Sequence, residues 1–142
     1  MDELIDILIS GGHSLVVWNE GIHTFDGRGV SDLFRLLEND PALLKGARVA
    51  DKVIGKGAAA LMVSGGVSEV YAGVISEGAL SLFEKAGVGI SFGKRVPHII
   101  NRKGDGICPV ENLCADCETA EECLPRIRSF ILSMRASAGN PA

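Results

Sequence analysis

Four cysteines lie close together near the end of the 142-residue chain, at Cys108, Cys114, Cys117 and Cys123. Five, two and five residues separate successive thiols, so the four are close enough in sequence to converge on one metal ion. A zinc ribbon, however, has two C-x₂-C pairs far apart, and this chain has one. Three hypotheses therefore stay open: ordinary thiols, a zinc or iron–sulfur site, and a redox pair formed by Cys114 and Cys117.

Two other patterns resemble ligand-binding motifs but depart from them. Gly55-Lys56-Gly57 is similar to the end of a phosphate-binding loop, yet Ala50 stands where the first glycine belongs. Gly57 also replaces the Ser or Thr that would hold magnesium, so no such loop is predicted. The histidines lie in or beside predicted strands, and we interpret them as structural residues rather than ligands: His13, His23 and His98.

Composition and charge exclude several classes of protein. Hydrophobic residues make up 46% and charged residues 23%, which is typical of a globular domain rather than a disordered chain. The net charge of −4 argues against a protein that binds nucleic acid mainly by electrostatic attraction. The N-terminus is acidic and no apolar run approaches 18 residues, which predicts a cytoplasmic protein without a signal peptide or membrane span. We therefore expect the cysteines to be reduced thiols or ligands rather than disulfides.

The first half of the chain predicts a helix over residues 4–9, a hairpin of strands 13–18 and 22–25, and a second helix. Ser31 or Asp32 is expected to cap that second helix, and Pro41 to stop it. The small residues within 47–63 favour one long helix pressed against a sheet.

The second half predicts strands over 67–75 and 88–92, separated by a short helix over 77–86 that Gly87 ends. An extended basic segment follows at 93–103. Thr119 and Glu122 have the spacing of a capping box, which predicts a last helix over about 120–135.

This order of elements is typical of an α/β fold. We predict a three-layer α/β/α architecture around a mixed sheet of about five strands. Residues 1–135 form the single predicted domain, and residues 136–142 form a frayed tail.

Three segments, 49–61, 74–80 and 101–111, resemble an uncharacterised prokaryotic family, the domain of unknown function numbered eighteen ninety-three. The first contains the block ADKVIGKGAAAL and the third contains NR followed by Cys108-Pro109-Val110-Glu111. The resemblance extends from about Leu15 to Glu111 and implies a cytidine-deaminase-like fold.

In that fold, zinc deaminases carry H-x-E at the start of one helix and P-C-x-x-C at the start of the next. The resemblance implies that Asp51-Lys52 and Ser76-Glu77 open the corresponding helices here, and neither pair supplies the His or Cys ligands. A zinc-dependent deaminase is therefore not expected. The implied cleft at the two helix N-termini would place polar groups near a ligand: Asp51, Lys52, Ser76, Glu77, Asn101, Arg102, Cys108 and Glu111.

Three functions follow as hypotheses. The first is a zinc-less module that binds a nucleotide or related small ligand, with Lys52 and Arg102 meeting anionic groups and Ser76 and Asn101 forming hydrogen bonds. RNA is a weaker alternative ligand, through the basic cluster of Lys94, Arg95, Arg102 and Lys103. The oligomeric state stays open, and a homo-oligomer is compatible with the sequence.

The second hypothesis is an enzyme that uses Cys108 as nucleophile, Lys52 or Arg102 to favour its thiolate, and Glu77 or Asp51 as proton carrier. The third is a redox or metal module on the four cysteines. No cofactor is predicted for the first two hypotheses, and zinc or an iron–sulfur cluster belongs only to the third.

Overall fold

The computed structural model describes residues 2–27, 30–100, 104 and 106–138. In chain order the elements are α1 (Asp2–Ser10), β1 (Leu15–Trp18), β2 (Ile22–Phe25), α2 (Ser31–Asn39), α3 (Pro41–Leu44), β3 (Arg48–Ile54), α4 (Lys56–Gly65), β4 (Glu69–Ser76), α5 (Glu77–Ala86), β5 (Gly89–Val96), α6 (Pro109–Leu113) and α7 (Ala120–Ala138).

One five-stranded mixed sheet runs through the molecule in the order β2-β1-β3-β4-β5. β1 is antiparallel to both β2 and β3, whereas β3, β4 and β5 are parallel to one another. The β1–β2 hairpin turns at Glu20 and Gly21, which have φ angles of 57° and 151°. The predicted α/β class and the mixed five-stranded sheet are confirmed.

Helices cover both faces of the sheet. Val16 and Ala50 pack against Leu4 and Leu8 of α1 on one face. The neighbouring residues in each strand, Val17 and Val49 among them, point the other way into the main core, where the other long helices pack. This arrangement gives the three layers that the sequence predicts.

Helix α4 lies at the centre of the helical layer and contacts α2, α3, α5, α6 and α7. Small residues follow Lys56 in its first turns, and Ala59 and Ala60 are fully buried. A Cβ on Gly57 would lie 2.2 Å from Cγ1 of Val110, so glycine is needed where α6 approaches. The expectation of a tightly packed small-residue helix is correct for this part of the chain.

The predicted long helix over 47–63 is wrong in its first half. Arg48–Ile54 forms β3, and α4 begins only at Lys56. β3 pairs with β1 on one side and β4 on the other, and such non-local pairing decides the structure of a short segment whose pattern fits either element. Asp51 and Lys52 consequently lie in a strand and do not open a helix.

The predicted cap of α2 is also wrong. The residue before its first turn is Val30, and among the described residues no side-chain hydrogen bond caps the helix at this position. The carboxylate of Asp32 accepts instead from the backbone N–H of Gly27 at 2.9 Å and from Arg35 at 2.6 Å. These two donors occupy the carboxylate of Asp32, which therefore does not cap α2.

Several boundaries differ from their predicted positions. β1 begins at Leu15 rather than residue 13, and β5 runs on to Val96. Helix α7 extends to Ala138, past the predicted end of the domain at residue 135. The short helices α3 and α6 were not predicted, although Asn39 does end α2 before Pro41 as expected.

Strands β3 and β4 change face near their carboxyl ends. Residues four apart in a regular strand face the same side, yet Ala50 packs under α1 whereas Ile54 lies in the main core. A Cβ on Gly73 would lie 2.6 Å from the carbonyl oxygen of Lys52, and one on Gly93 would lie 2.9 Å from that of Gly73. The backbone is therefore kinked at Lys52, Gly73 and Gly93, which lie on the three neighbouring parallel strands.

Across residues 2–27, 30–100, 104 and 106–138, none of the helices has the length and apolar character that a membrane crossing requires.

Candidate functional site

Polar side chains collect at the carboxyl ends of the parallel strands. Asp51 and Lys52 lie on β3, Ser76 ends β4, and Lys94 and Arg95 lie near the end of β5. In open α/β sheets, ligands bind in the crevice outside these strand ends. Strand kinks are also frequent beside functional sites, because they redirect side chains. We take this edge of the sheet as the candidate site.

Asp51 is the most unusual titratable group of this edge. Burial raises the pKa of its carboxyl to about 7, the nearby carboxylate of Asp32 adds to the rise, and backbone N–H groups of Val53 and Lys52 partly oppose it. Its side chain still accepts from the N–H of Val53 at 3.3 Å. A half-buried carboxyl that changes charge near neutrality is able both to donate and to accept a proton.

The cations of the same edge are exposed. Lys52, Lys94 and Arg95 all present their side chains to solvent. Lys94 pairs with Val74, which in turn pairs with Val53, so these three residues lie side by side one position after the kink. Adjacent strands are about 4.8 Å apart, so the cations of β3 and β5 are separated by roughly 10 Å across the sheet, within reach of one anionic ligand for long side chains.

Glu111 is the centre of a buried polar cluster beside this edge. Its Oε1 accepts from the backbone N–H of Lys56 at 2.9 Å and from the hydroxyl of Ser76 at 3.0 Å. Its Oε2 accepts from the N–H of Ile99 at 2.7 Å. Glu111 is 4% exposed, and Ser76 is fully buried and caps α5 by accepting from Ala79. The carboxylate thus joins the N-termini of α4 and α5.

Lys56 completes the cluster and is a residue that the sequence reasoning missed. Its ammonium donates to the carbonyl oxygen of Ala115 at 3.1 Å and to that of Cys117. Its side chain lies 9% exposed under the loop that follows α6. The Gly55-Lys56-Gly57 pattern drew attention to this residue. The start of α4 was predicted too early in the chain, so Lys52 rather than Lys56 was expected at the helix N-terminus.

The residues at the two helix N-termini do not fit a catalytic zinc ion. Glu111 has donors on both oxygens, and Lys56 brings a positive charge where a metal ligand would be needed. Within the described ranges, no group of three or more His, Cys, Asp or Glu residues could hold a metal ion. We therefore derive no step through zinc.

The other predicted site residues form no side-chain hydrogen bond with the cluster of Glu111 within the described part of the chain, or lie outside it. Glu77 is exposed in the first turn of α5, and Cys108 is half-buried directly before α6. Asn101 and Arg102, which were expected to contact the ligand, lie outside the described residues, as does Lys103. The roles given to all of these side chains stay predictions.

Three of the four cysteines come together in the core. Cys114, Cys117 and Cys123 are buried, and the Cys123 thiol donates to the carbonyl oxygen of Thr119 at 3.5 Å. The neighbouring Cys123 thiol lowers the pKa of Cys114. Burial raises the pKa of Cys117, and the neighbouring Cys114 thiol together with burial raises the pKa of Cys123.

Comparison with known proteins identifies the family. The model of a domain of unknown function, DUF1893 (TM1506), matches residues 3–131. The chain is also similar to the crystal structure of a DUF1893 family protein, TM1506, from Thermotoga maritima at 2.70 Å resolution. The two share 25% identity with a TM-score of 0.83 over 91% of this chain and 88% of the other. No curated protein matches the chain. The resemblance seen in the sequence is thus confirmed, and the chain belongs to the DUF1893 family.

Proposed function

We propose that this chain binds a small anionic ligand, a nucleotide or a related compound, at the carboxyl ends of β3, β4 and β5. In this proposal the deaminase-like fold serves for binding without zinc. The observation that carries the proposal is the half-buried carboxyl of Asp51 on β3, together with the exposed cations Lys52, Lys94 and Arg95 on the strands that end at the same sheet edge. A carboxyl suits the amino and amide groups of a base, and cations suit a phosphate.

The buried cluster of Glu111 supports binding at this edge rather than inside the helix N-termini. Helix N-termini attract anions, but Glu111 already supplies an anion to the N–H of Lys56 and to Ser76. We therefore assign Ser76 and Glu111 to shaping the site, and Asp51 and Lys52 to contacting the ligand.

A second candidate function is proton transfer on the bound ligand. The raised pKa of Asp51, about 7, suits a general acid–base group better than that of an ordinary surface aspartate. This candidate replaces the earlier pairing of Cys108 with Lys52, because Lys52 is exposed on β3 rather than at a helix N-terminus. RNA is less favoured, because the net charge is −4 and Glu77 lies among the exposed groups.

Calorimetric titration with ribonucleoside monophosphates and with inorganic phosphate tests the binding function. Lys52→Ala and Lys94→Ala are expected to weaken binding about tenfold each, the loss of roughly one charged contact. Lys45→Ala is the matched control, because Lys45 precedes β3 at the opposite end of the sheet. The proposal fails if the chain binds none of these compounds, or if all three variants bind as tightly as the parent.

A further inference from the structure

The outer edge of β5 has no neighbouring strand in the described part of the chain, where the sheet ends with β5 beside β4. The N–H of Gly89 donates to the carbonyl oxygen of Ser68, so it points toward β4. Successive residues of a strand direct their N–H and C=O groups to opposite sides, and those of Ile90 and Phe92 therefore point outward. Such outward-pointing groups are a template for pairing with another strand.

This edge lacks the usual protection of an edge strand. Edge strands are normally short, or are interrupted by charges and proline. β2, at the opposite edge of the sheet, has four residues, whereas β5 has eight. The segment Gly89–Gly93 contains neither a charge nor a proline, since Lys94 and Arg95 come only after the kink. The segment also lies outside the proposed ligand site.

Apolar side chains accompany the open backbone groups of β5. Phe92 is 40% exposed, although Ala72, which pairs with it on β4, is fully buried. Ile90 lies on the same face and is only partly buried. Ser91 pairs with Tyr71, which packs on the α1 side of the sheet, so the Ser91 side chain is on that opposite face. β5 thus presents an apolar pair on one face and a small polar residue on the other.

We propose that two copies of the chain dimerise by antiparallel pairing of Gly89–Gly93 about a two-fold axis at Ser91, which joins their sheets edge to edge. In this register Ile90 lies opposite Phe92 of the second copy, and the two residues exchange N–H···O hydrogen bonds. The two-fold axis repeats this pair, so the exposed apolar side chains cover one another on one face. No like charges lie opposite each other.

The charges at the two ends of the strands favour a second copy as the occupant. β4 begins with Glu69, which pairs with Gly89, whereas Lys94 and Arg95 lie near the end of β5. Antiparallel pairing places this cationic end beside Glu69 of the second copy, two strands or roughly 10 Å away, and the long side chains shorten that gap. Glu69 is half-exposed beside Arg48 at 3.6 Å and is accessible to a second cation. Parallel pairing would instead align the cations of both copies.

The variant Ser91→Cys tests the register. Its introduced thiols would lie on a non-hydrogen-bonded pair, whose Cα atoms are about 4.5 Å apart and within disulfide range. Mild oxidation should therefore convert most of this variant to a covalent dimer on a non-reducing gel. The parent controls for the native cysteines, and Ser10→Cys on α1 controls for an exposed thiol elsewhere. Ser91→Cys that forms no more dimer than Ser10→Cys would overturn the proposal.

Light scattering during size-exclusion chromatography tests the association itself. The parent should approach twice the chain mass of 14.9 kDa as its concentration rises. Phe92→Lys should weaken dimerisation about tenfold or more, because it removes the apolar pair and adds a charge at the edge. Ile22→Lys is the matched control, since Ile22 is 41% exposed on the opposite edge strand β2, and this variant should still dimerise.

Far-UV circular dichroism of each variant first establishes that it folds. A parent that stays monomeric at every concentration would overturn the proposal, and so would equal dimerisation of folded Phe92→Lys and Ile22→Lys.

Discussion

Two carboxyl groups near the same sheet edge have opposite surroundings. Glu111 is 4% exposed and receives three hydrogen bonds that join α4, α5 and the segment before α6. Asp51 is less enclosed, receives only backbone N–H groups, and lies near the like charge of Asp32. The first carboxylate is therefore a structural anion, and the second is the group left free to act on a ligand.

Removing the charge of Glu111 is expected to destabilise the fold. Glu111→Gln keeps the size of the side chain but weakens the acceptors for Lys56, Ser76 and Ile99, so unfolding free energy should fall by about 2–4 kcal/mol. Denaturant unfolding measures this change, with the exposed Glu84→Gln on α5 as control. Equal stability of the two variants would contradict the structural role of Glu111.

The carboxyl of Asp51 predicts a stability that falls as pH rises. Its pKa is about 7 in the folded chain against 3.8 as the ordinary value, so between these values the folded state binds the proton that the unfolded state releases. The unfolding free energy should therefore decline by about 2–4 kcal/mol from pH 4 to pH 7, and this component should level off above pH 7.

The variant Asp51→Asn separates this effect from other titrations. It should lose that part of the decline, because the amide does not ionise, whereas the exposed Asp6→Asn on α1 should keep it. Denaturant midpoints measured across this pH range give the comparison. The same pH slope in the parent and in Asp51→Asn would show that Asp51 does not titrate near neutrality.

At the scale of elements, the kink across β3, β4 and β5 positions the site. It turns Ile54 and Ile75 into the main core and leaves the side chain of Val53 47% exposed to solvent. Glycine at position 73 permits the close approach of the strands, since a side chain would meet the Lys52 carbonyl oxygen. The local backbone, rather than a loop, thus sets where Asp51 and Lys52 point.

Substitution of Gly73 tests the kink. Gly73→Ala should lower the unfolding free energy by about 1–3 kcal/mol, because its Cβ would lie 2.6 Å from a backbone oxygen that is fixed in the sheet. Gly89→Ala on β5 is the matched control, since its nearest neighbour would lie at an ordinary 3.7 Å and little change is expected. Chemical denaturation that finds both variants equally stable would contradict the close approach.

The predictable elements were those with strong local signals. Helix α5 was predicted with its start and its end, because Ser76 caps it and Gly87 closes it in the left-handed region at φ 74°. The β3–α4 boundary was missed, because pairing with β1 and β4 is non-local and leaves no periodic pattern in seven residues. That one error moved the helix N-terminus from Lys56 to Lys52 and changed the predicted site with it.

At the scale of the whole molecule, the order of strands explains why the site lies at one edge. The antiparallel hairpin β1–β2 forms one lateral side of the sheet, and the parallel strands β3, β4 and β5 form the other. Because these three strands are parallel, their carboxyl ends meet at the same edge. The element order predicted this mixed sheet correctly. It could not predict that Glu111, 55 residues after Lys56, closes the two helix N-termini, because no local pattern encodes that contact.

The most direct test of the binding site is the two-dimensional amide NMR spectrum of the chain during addition of a ribonucleoside monophosphate. The account predicts that the signals of Asp51, Lys52 and Lys94 shift in a saturable way, and that those of Lys45 at the opposite sheet end stay unchanged. Shifts confined to another surface, such as the groove of Phe34 and Arg128 between α2 and α7, would contradict the account, and so would an unchanged spectrum.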